Sequence, residues 1–332
     1  MRKRLLTVIF AAAFALVIPF AAAGCKKDDK TIRINEVTHS VFYAPLYLAD
    51  ALGYFGEEDI KIELTNGGGA DKTMAAVLAN EADVGFCGPE SVIYTYLGGS
   101  NNCPKVFGQL TKRDGSFLVG RTKPEGEFDW ASLQGKNIIA GRPGGVPLMT
   151  FSYVLNSLHV SANLVTNIDF NLMTAAFKGG TGDYCTMFEP VASDFQAAGD
   201  GYIVASVGQQ SGEIPYTCFM AKQSYIDKHG DKIEGMLRAI TKAIKYLNET
   251  DSATVAQMLK KYFDATSVES LKTSVESYKS IDAWVTNMAM EESAFTKLQD
   301  VIELAGQLKK RVDFKDIVTT EAAQKVYSQI YA

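Results

Sequence analysis

Cysteine and histidine are both scarce in this chain, with 5 Cys and 3 His in 332 residues. So few cysteines cannot form a disulfide framework. Cys87, Cys103, Cys185 and Cys218 show no Cys-x-x-Cys spacing. Cys87 and Cys185 fall in strand-like apolar runs and read as inert, while a Cys87–Cys103 bridge stays open. His39, His159 and His229 lie far apart without helical pairing, so no metal site is expected. Positive charge is not in excess either. Lys and Arg number 33 against 38 Asp and Glu, a net charge of −5, and beyond residue 24 the balance is 30 against 38, or −8. An acidic body lacks the clustered Lys and Arg that phosphate backbones require, which excludes nucleic acid as an expected partner. No segment has the Walker A spacing, since Gly135-Lys136 runs on into Asn137 without the preceding glycine. No serine stands in Gly-x-Ser-x-Gly. Past residue 24 no apolar run reaches the ~18 residues of a membrane span. Catalysis has no constellation to stand on, and no cofactor is called for.

What is present begins with the leader. Met1–Arg4 is basic, Leu5–Phe20 is apolar, and Ala21–Gly24 is a run of small residues, the three parts of a secretory signal. Cys25 follows at once, then the charged run Lys26–Lys30. Ala22-Ala23-Gly24-Cys25 resembles the bacterial lipobox, with Ala22 where Leu or Val is usual. The resemblance implies cleavage before Cys25 and lipidation of its thiol, with residues 1–24 as signal peptide and 25–30 as lipidated linker. Two or more acyl chains anchor stably, at ~0.8 kcal/mol per buried methylene. The expected location is therefore extracytoplasmic, on the outer face of the cell membrane. An uncleaved anchor and a secreted protein with an odd Cys are the alternatives.

At roughly 100–200 residues per domain the chain has room for two. Thr31–Val37 and Ile60–Leu64 alternate apolar and polar residues, as strands do. Tyr43–Tyr54 has a helical apolar face, and Gly67-Gly68-Gly69 opens a second helix to Asn80 with Met74, Val77 and Leu78 inward. Strands are expected at Asp83–Cys87, Val106–Leu110, Phe117–Arg121, Asn137–Ala140, Ile168–Phe170, Asp183–Met187, Tyr202–Ser206 and Thr217–Ala221. Helices alternate with them, and Lys123–Gln134 reads as a polar surface link. From Ser224 onward everything reads as helix, including Ile281–Met288. Strand–helix alternation means parallel α/β layers; here it runs twice and ends in a helical tail.

Open α/β sheets bind ligands at the carboxyl ends of their strands, where helix N-termini present free N–H groups. Five loops share that design: Ser40–Tyr43, Gly67–Ala70, Gly88–Ser91, Gly144–Val146 and Phe188–Glu189. Glu90 and Glu189 each follow an expected strand. Each is either an acceptor for a ligand amine or a structural acid, Glu90 being well placed for a helix dipole. Phe42, Tyr43, Phe86, Tyr94, Phe188 and Tyr216 sit in or beside these loops and are either core or stacking surfaces for a flat ligand. Arg142 is the one cation inside a candidate loop, for an anion or for an inter-loop salt bridge.

These pieces resemble a family. "SVFYAPLYLADALGYFGEEDIKIEL" (Ser40–Leu64) is similar to the opening of periplasmic binding proteins for nitrate, sulfonates, taurine and thiamine precursors. "GGGADKTMAAVLANEADVGFCGPES" (Gly67–Ser91), "GRPGGVP" (Gly141–Pro147) and "FEP" (Phe188–Pro190) resemble its later segments. The resemblance implies a type II periplasmic binding-protein fold, with two α/β lobes around a ligand cleft and a helical C-terminal tail. One lobe would be residues 31–117 plus 217–332 and the other 118–216, with hinges near Phe117 and Thr217. It implies ligand contacts at Ser40, Phe42, Tyr43, Gly69, Ala70, Gly88, Glu90, Gly144, Gly145, Val146 and Glu189, to which Tyr216 is added as a stacking candidate. It also implies an ABC importer, whose permease and ATPase are separate subunits, and a binding protein that does no chemistry. No oligomerisation signal stands out, so a monomer is expected. The related pyrimidine synthases carry a Cys-rich iron motif that this sequence lacks. Aromatic stacking plus a carboxylate fits an aminopyrimidine, and Ser40 with Gly144-Gly145 fits a sulfonate such as taurine. A pyrimidine-synthase-like enzyme and a ligand-sensing receptor subunit are the other readings.

Overall fold

A computed structural model of the chain describes residues 30–332. The expected signal, its cleavage site and Cys25 lie outside the described residues. Ten strands form two five-stranded sheets. They are β1 (Thr31–Glu36), β2 (Lys61–Asn66), β3 (Val84–Cys87), β4 (Pro104–Thr111), β5 (Ser116–Gly120), β6 (Asn137–Ile139), β7 (Asn163–Val165), β8 (Tyr184–Phe188), β9 (Tyr202–Ser206) and β10 (Thr217–Lys222). The first sheet has the order β2-β1-β3-β10-β4 and the second β7-β6-β8-β5-β9. Each contains a parallel trio, β2-β1-β3 or β7-β6-β8. Next to each trio lies a strand that has just arrived from the other sheet and runs antiparallel, β10 or β5.

The chain changes sheets between Thr111 and Ser116 and again between Ser206 and Thr217. The first change falls before Phe117, because β5 begins at Ser116. The two crossing segments are zipped together, Ile214 N donating to Lys112 O (2.8 Å) and Tyr216 N to Thr111 O (3.1 Å). Helices cover both sheets. The 20-residue helix Gly230–Glu249 packs on Ala44–Ala51 and Glu321–Tyr331 and buries a row from Ile233 to Leu247. Each such fully buried aliphatic side chain contributes roughly 1.5–3 kcal/mol.

Three elements differ from the sequence reading. Ile281–Met288 is not a helix. Its Ile281/Val285/Met288 spacing imitates a helical stripe, but the segment runs along β4. Ala283 O accepts from Lys112 N (2.9 Å), Val285 N donates to Leu110 O (3.0 Å), and Gln109 N donates to Met288 O (2.8 Å). An open sheet edge thereby gains partners. The strand expected at Ile168–Phe170 is Asn163–Val165, in register with Asn137–Ile139, and Phe170 opens a short 3₁₀ turn. Tyr43–Tyr54 divides into a 3₁₀ turn Val41–Tyr43, a helix Ala44–Ala51 and a turn from Tyr54. All four described cysteines are free, so Cys87 and Cys103 are not bridged.

Candidate functional site

The carboxyl ends of the parallel strands of both sheets face one cavity of about 660 Å³. Every one of the five expected loops supplies at least one lining residue. Of the expected contacts, Tyr43, Gly69, Ala70, Gly88, Glu90, Gly144, Gly145, Val146 and Tyr216 line it; Ser40, Phe42 and Glu189 do not. The walls are largely apolar and aromatic: Tyr43, Met74, Tyr94, Phe170, Phe188 and Tyr216, with Pro143 and Pro147.

Glu90 is the buried acid of the cavity wall. It is 2% exposed and opens the helix Glu90–Leu97 that follows β3. Its Oε2 has no hydrogen-bond partner. Burial pushes its carboxyl up to about 8, and the backbone N–H groups of Glu90, Val146 and Ser91 oppose that rise. The carboxylate therefore sits against the N-terminus of the facing helix Val146–Ser157, where a negative charge is favoured. Gly88 makes this position accessible, since a Cβ there would lie 2.0 Å from Glu90 Oε2.

Glu189 does other work. Its Oε2 accepts from Ser193 N (2.8 Å) and its Oε1 from Ser193 Oγ (2.8 Å). Burial raises its pKa while Ser193 and Ser277 hold it down. Its backbone ties the second sheet to the first-sheet side: Ser40 Oγ donates to Glu189 O (2.5 Å), and Glu189 N donates to the Tyr278 hydroxyl (2.9 Å). Ser40 also caps the 3₁₀ turn by accepting from Phe42 N (3.1 Å). Phe42 lies beneath the cavity wall, edge-on to Tyr216 at 5.8 Å, and its carbonyl accepts from Trp284 Nε1 (2.8 Å).

Arg142 pairs across the cavity mouth with Asp71 (3.2 Å), and with Asp169 of its own side (3.7 Å). Gly69, at φ +152°, leaves room for that pair, as a Cβ would approach Arg142 Nη2 to 3.1 Å. Tyr94 Oη donates to Gly144 O (3.2 Å), a second bridge between the two sides. Among the lining residues Arg142 is the single Lys or Arg, so the cavity presents no uncommitted cation. Among the described residues no group of His, Cys, Asp and Glu is placed to hold a metal ion.

Sequence reasoning missed several participants. Phe170 was hidden in a misplaced strand, and Leu78, read as inward, stands 37% exposed at the cavity wall. Asp114 carries no local signal at all, being an ordinary loop acid by sequence. Fully buried, it is pushed up to about 7, and the Ser116 hydroxyl and N–H (2.6 and 2.7 Å) hold it down against that burial.

Comparison with known proteins places this architecture. Solved structures of similar fold include the nitrate-binding protein NrtA from Synechocystis PCC 6803, with a TM-score of 0.75 at 14% identity, covering 91% of this chain and 89% of that one. Another is the alkanesulfonate-binding protein SsuA from Xanthomonas axonopodis pv. citri, with a TM-score of 0.70 at 17% identity, covering 88% and 98%. The fold is that of the periplasmic binding proteins. "Putative binding protein YtlA" of Bacillus subtilis is 39% identical, over 98% of this chain and 99% of that protein. A pyrimidine phosphate synthase of Aspergillus parasiticus is 25% identical, over 66% of this chain and 67% of that protein. The NMT1/THI5-like family model matches residues 41–253, and with the YtlA match this establishes that the chain belongs to the NMT1/THI5-like family.

Proposed function

We propose that this protein is the extracytoplasmic solute-binding component of an ABC importer and that it captures a flat, amine-bearing heterocycle such as an aminopyrimidine. The observation that carries the ligand class is Glu90, a carboxylate with one unpartnered oxygen in an aromatic cavity. Burial holds Glu90 protonated in the empty fold near neutral pH, and a ligand amine or amidine that brings positive charge supplies the partner its ionised form needs. Tyr43, Phe170, Phe188 and Tyr216 supply ring faces. A sulfonate or nitrate would meet Glu90 and no uncommitted cation, so those ligands fit less well. The buried acid of the cavity wall, Glu90, is taken up by the ligand amine in this reading, which needs no turnover. The residues bridging the cavity mouth suit a binding protein that encloses its solute between two lobes, residues 31–115 with 217–332 and residues 116–216, and presents it to a permease.

The test is calorimetry and thermal shift against aminopyrimidines, thiamine, riboflavin, taurine, alkanesulfonates and nitrate. Binding to the folded state alone adds about 2.7 kcal/mol of stability at a hundredfold excess over Kd. The expected result is a shift with an aminopyrimidine, lost by about 1.5–3 kcal/mol in Glu90→Gln. A shift with sulfonates alone would overturn the ligand class. Lipid anchoring through Cys25 belongs to the same proposal. Cys25→Ser should move the protein from the membrane fraction to the medium, and retention in an unprocessed form would refute it.

A further inference from the structure

Buried polar atoms without partners are rare and mark places where something else must bind. Glu90 Oε2 is one such oxygen in the cavity wall, and Tyr216 Oη and Asp114 Oδ2, which have no neighbour of this kind but each other, are two more. The last two belong to the chain crossings. Asp114 lies between β4 and β5 and is 0% exposed; Tyr216 lies just before β10, lines the cavity and is 4% exposed. Their backbones are fixed. Tyr216 N and Ile214 N bond to the opposite crossing, and a Cβ on Gly208 would lie 2.0 Å from Asp114 O, so nothing larger than glycine fits behind it. The Tyr216 ring is held edge-on by Phe42 (5.8 Å, 76°). Asp114 Oδ1 is already saturated by the N–H and hydroxyl of Ser116, which leaves Oδ2 as its open acceptor. Tyr216 and Asp114 lie within hydrogen-bonding reach of each other, and Tyr216 and Glu90 line the same cavity.

We infer that Tyr216 and Asp114 form a second recognition point of the cleft, in which the Tyr216 hydroxyl donates to Asp114 Oδ2 and offers its lone pair to a ligand donor. This rests on the solute-binding reading of the same cavity. Asp114 is then a positioning residue: it orients the phenol as an acceptor and touches no ligand. Together with Glu90 the cleft presents two acceptors, so it selects a flat ligand with two separate N–H or O–H donors over one with a single donor. Because the two residues sit on the crossings, ligand contact is made at the point about which the lobes turn.

A matched pair of probes tests this: 4-amino-5-hydroxymethyl-2-methylpyrimidine, and the same ring with methyl in place of hydroxymethyl. Calorimetry should show the wild-type protein preferring the hydroxymethyl probe by about three- to tenfold, the range of a neutral hydrogen bond. Tyr216→Phe should bring the two affinities together. It also takes the phenol away from the buried Asp114, so the melting temperature of the empty protein should fall by a few degrees while the affinity for the methyl probe stays the same. Asp114→Asn should also erase the preference, and the double variant should do no more than Tyr216→Phe alone. A preference that survives in Tyr216→Phe, or a wild type with none, overturns this proposal while Glu90-dependent binding still stands. If neither probe binds the wild type, the amine-binding reading fails together with it.

Discussion

Replacing Glu90 by Gln should stabilise the empty protein, and increasingly so as the pH rises. Glu90 has an ordinary value of 4.5 in the open chain and is pushed up to about 8 in the fold. Between those values the folded chain holds a proton that the unfolded chain has released. Stability therefore falls as pH rises through this window and is fully lowered above about 8. At about 1.4 kcal/mol per unit, the cost at alkaline pH is up to roughly 4–5 kcal/mol. Glutamine carries no charge to desolvate, so the variant escapes that cost. Melting curves of both proteins at pH 5 should nearly coincide. By pH 9 the variant should melt several degrees higher, given about 2 °C per kcal/mol for a large domain. Other buried acids, Asp114 among them, are common to both proteins and cancel in the comparison. A cationic amine bound in the cleft should remove the wild type's alkaline deficit, because it supplies the missing partner. Two proteins that track each other from pH 5 to 9 would refute the reasoning, since Glu90 would then be hydrated or paired in the empty fold.

Gly88→Ala should leave the fold intact but displace the Glu90 carboxylate, which stands 2.0 Å from the added methyl position. Ligand affinity should fall by about ten- to a hundredfold in calorimetry, and an unchanged Kd would show that the carboxylate is not the ligand's acceptor. Arg142→Ala removes an exposed pair across the cavity mouth. Stopped-flow measurements should show ligand dissociation faster by about two- to fivefold at low salt, with the difference vanishing at high salt. Trp284→Phe removes the buried donor to Phe42 O. The orphaned carbonyl should cost about 1–3 kcal/mol in urea denaturation, and equal midpoints would contradict the role given to Trp284.

Much of this molecule is legible along the chain because local patterns carry it. The alternation in Thr31–Glu36, the all-buried run Val84–Cys87 and the Gly-rich strand ends announce a layered α/β chain whose loops gather at one cleft. The Gly88–Glu90 and Gly144–Val146 loops are legible in the same way, since a strand end, a glycine and a helix start are neighbours in sequence.

What pattern could not decide was contact between distant segments. Ile281–Met288 has helical spacing, yet an open edge on β4 claims its backbone, and only the assembled sheet contains that edge. Glu90 and Glu189 look alike in sequence, each an acid just beyond a strand. Ser193 satisfies both oxygens of Glu189, whereas no protein group reaches Glu90 Oε2. Arg142 finds Asp71 only because two sheets bring their loops together. The sequence by itself determined the two-layered α/β character and the loops that form the cleft, because those follow from periodicity and turn chemistry. Tertiary structure alone decided which carboxylate is left without a partner, because that depends on groups far apart in the chain meeting in a space closed to water.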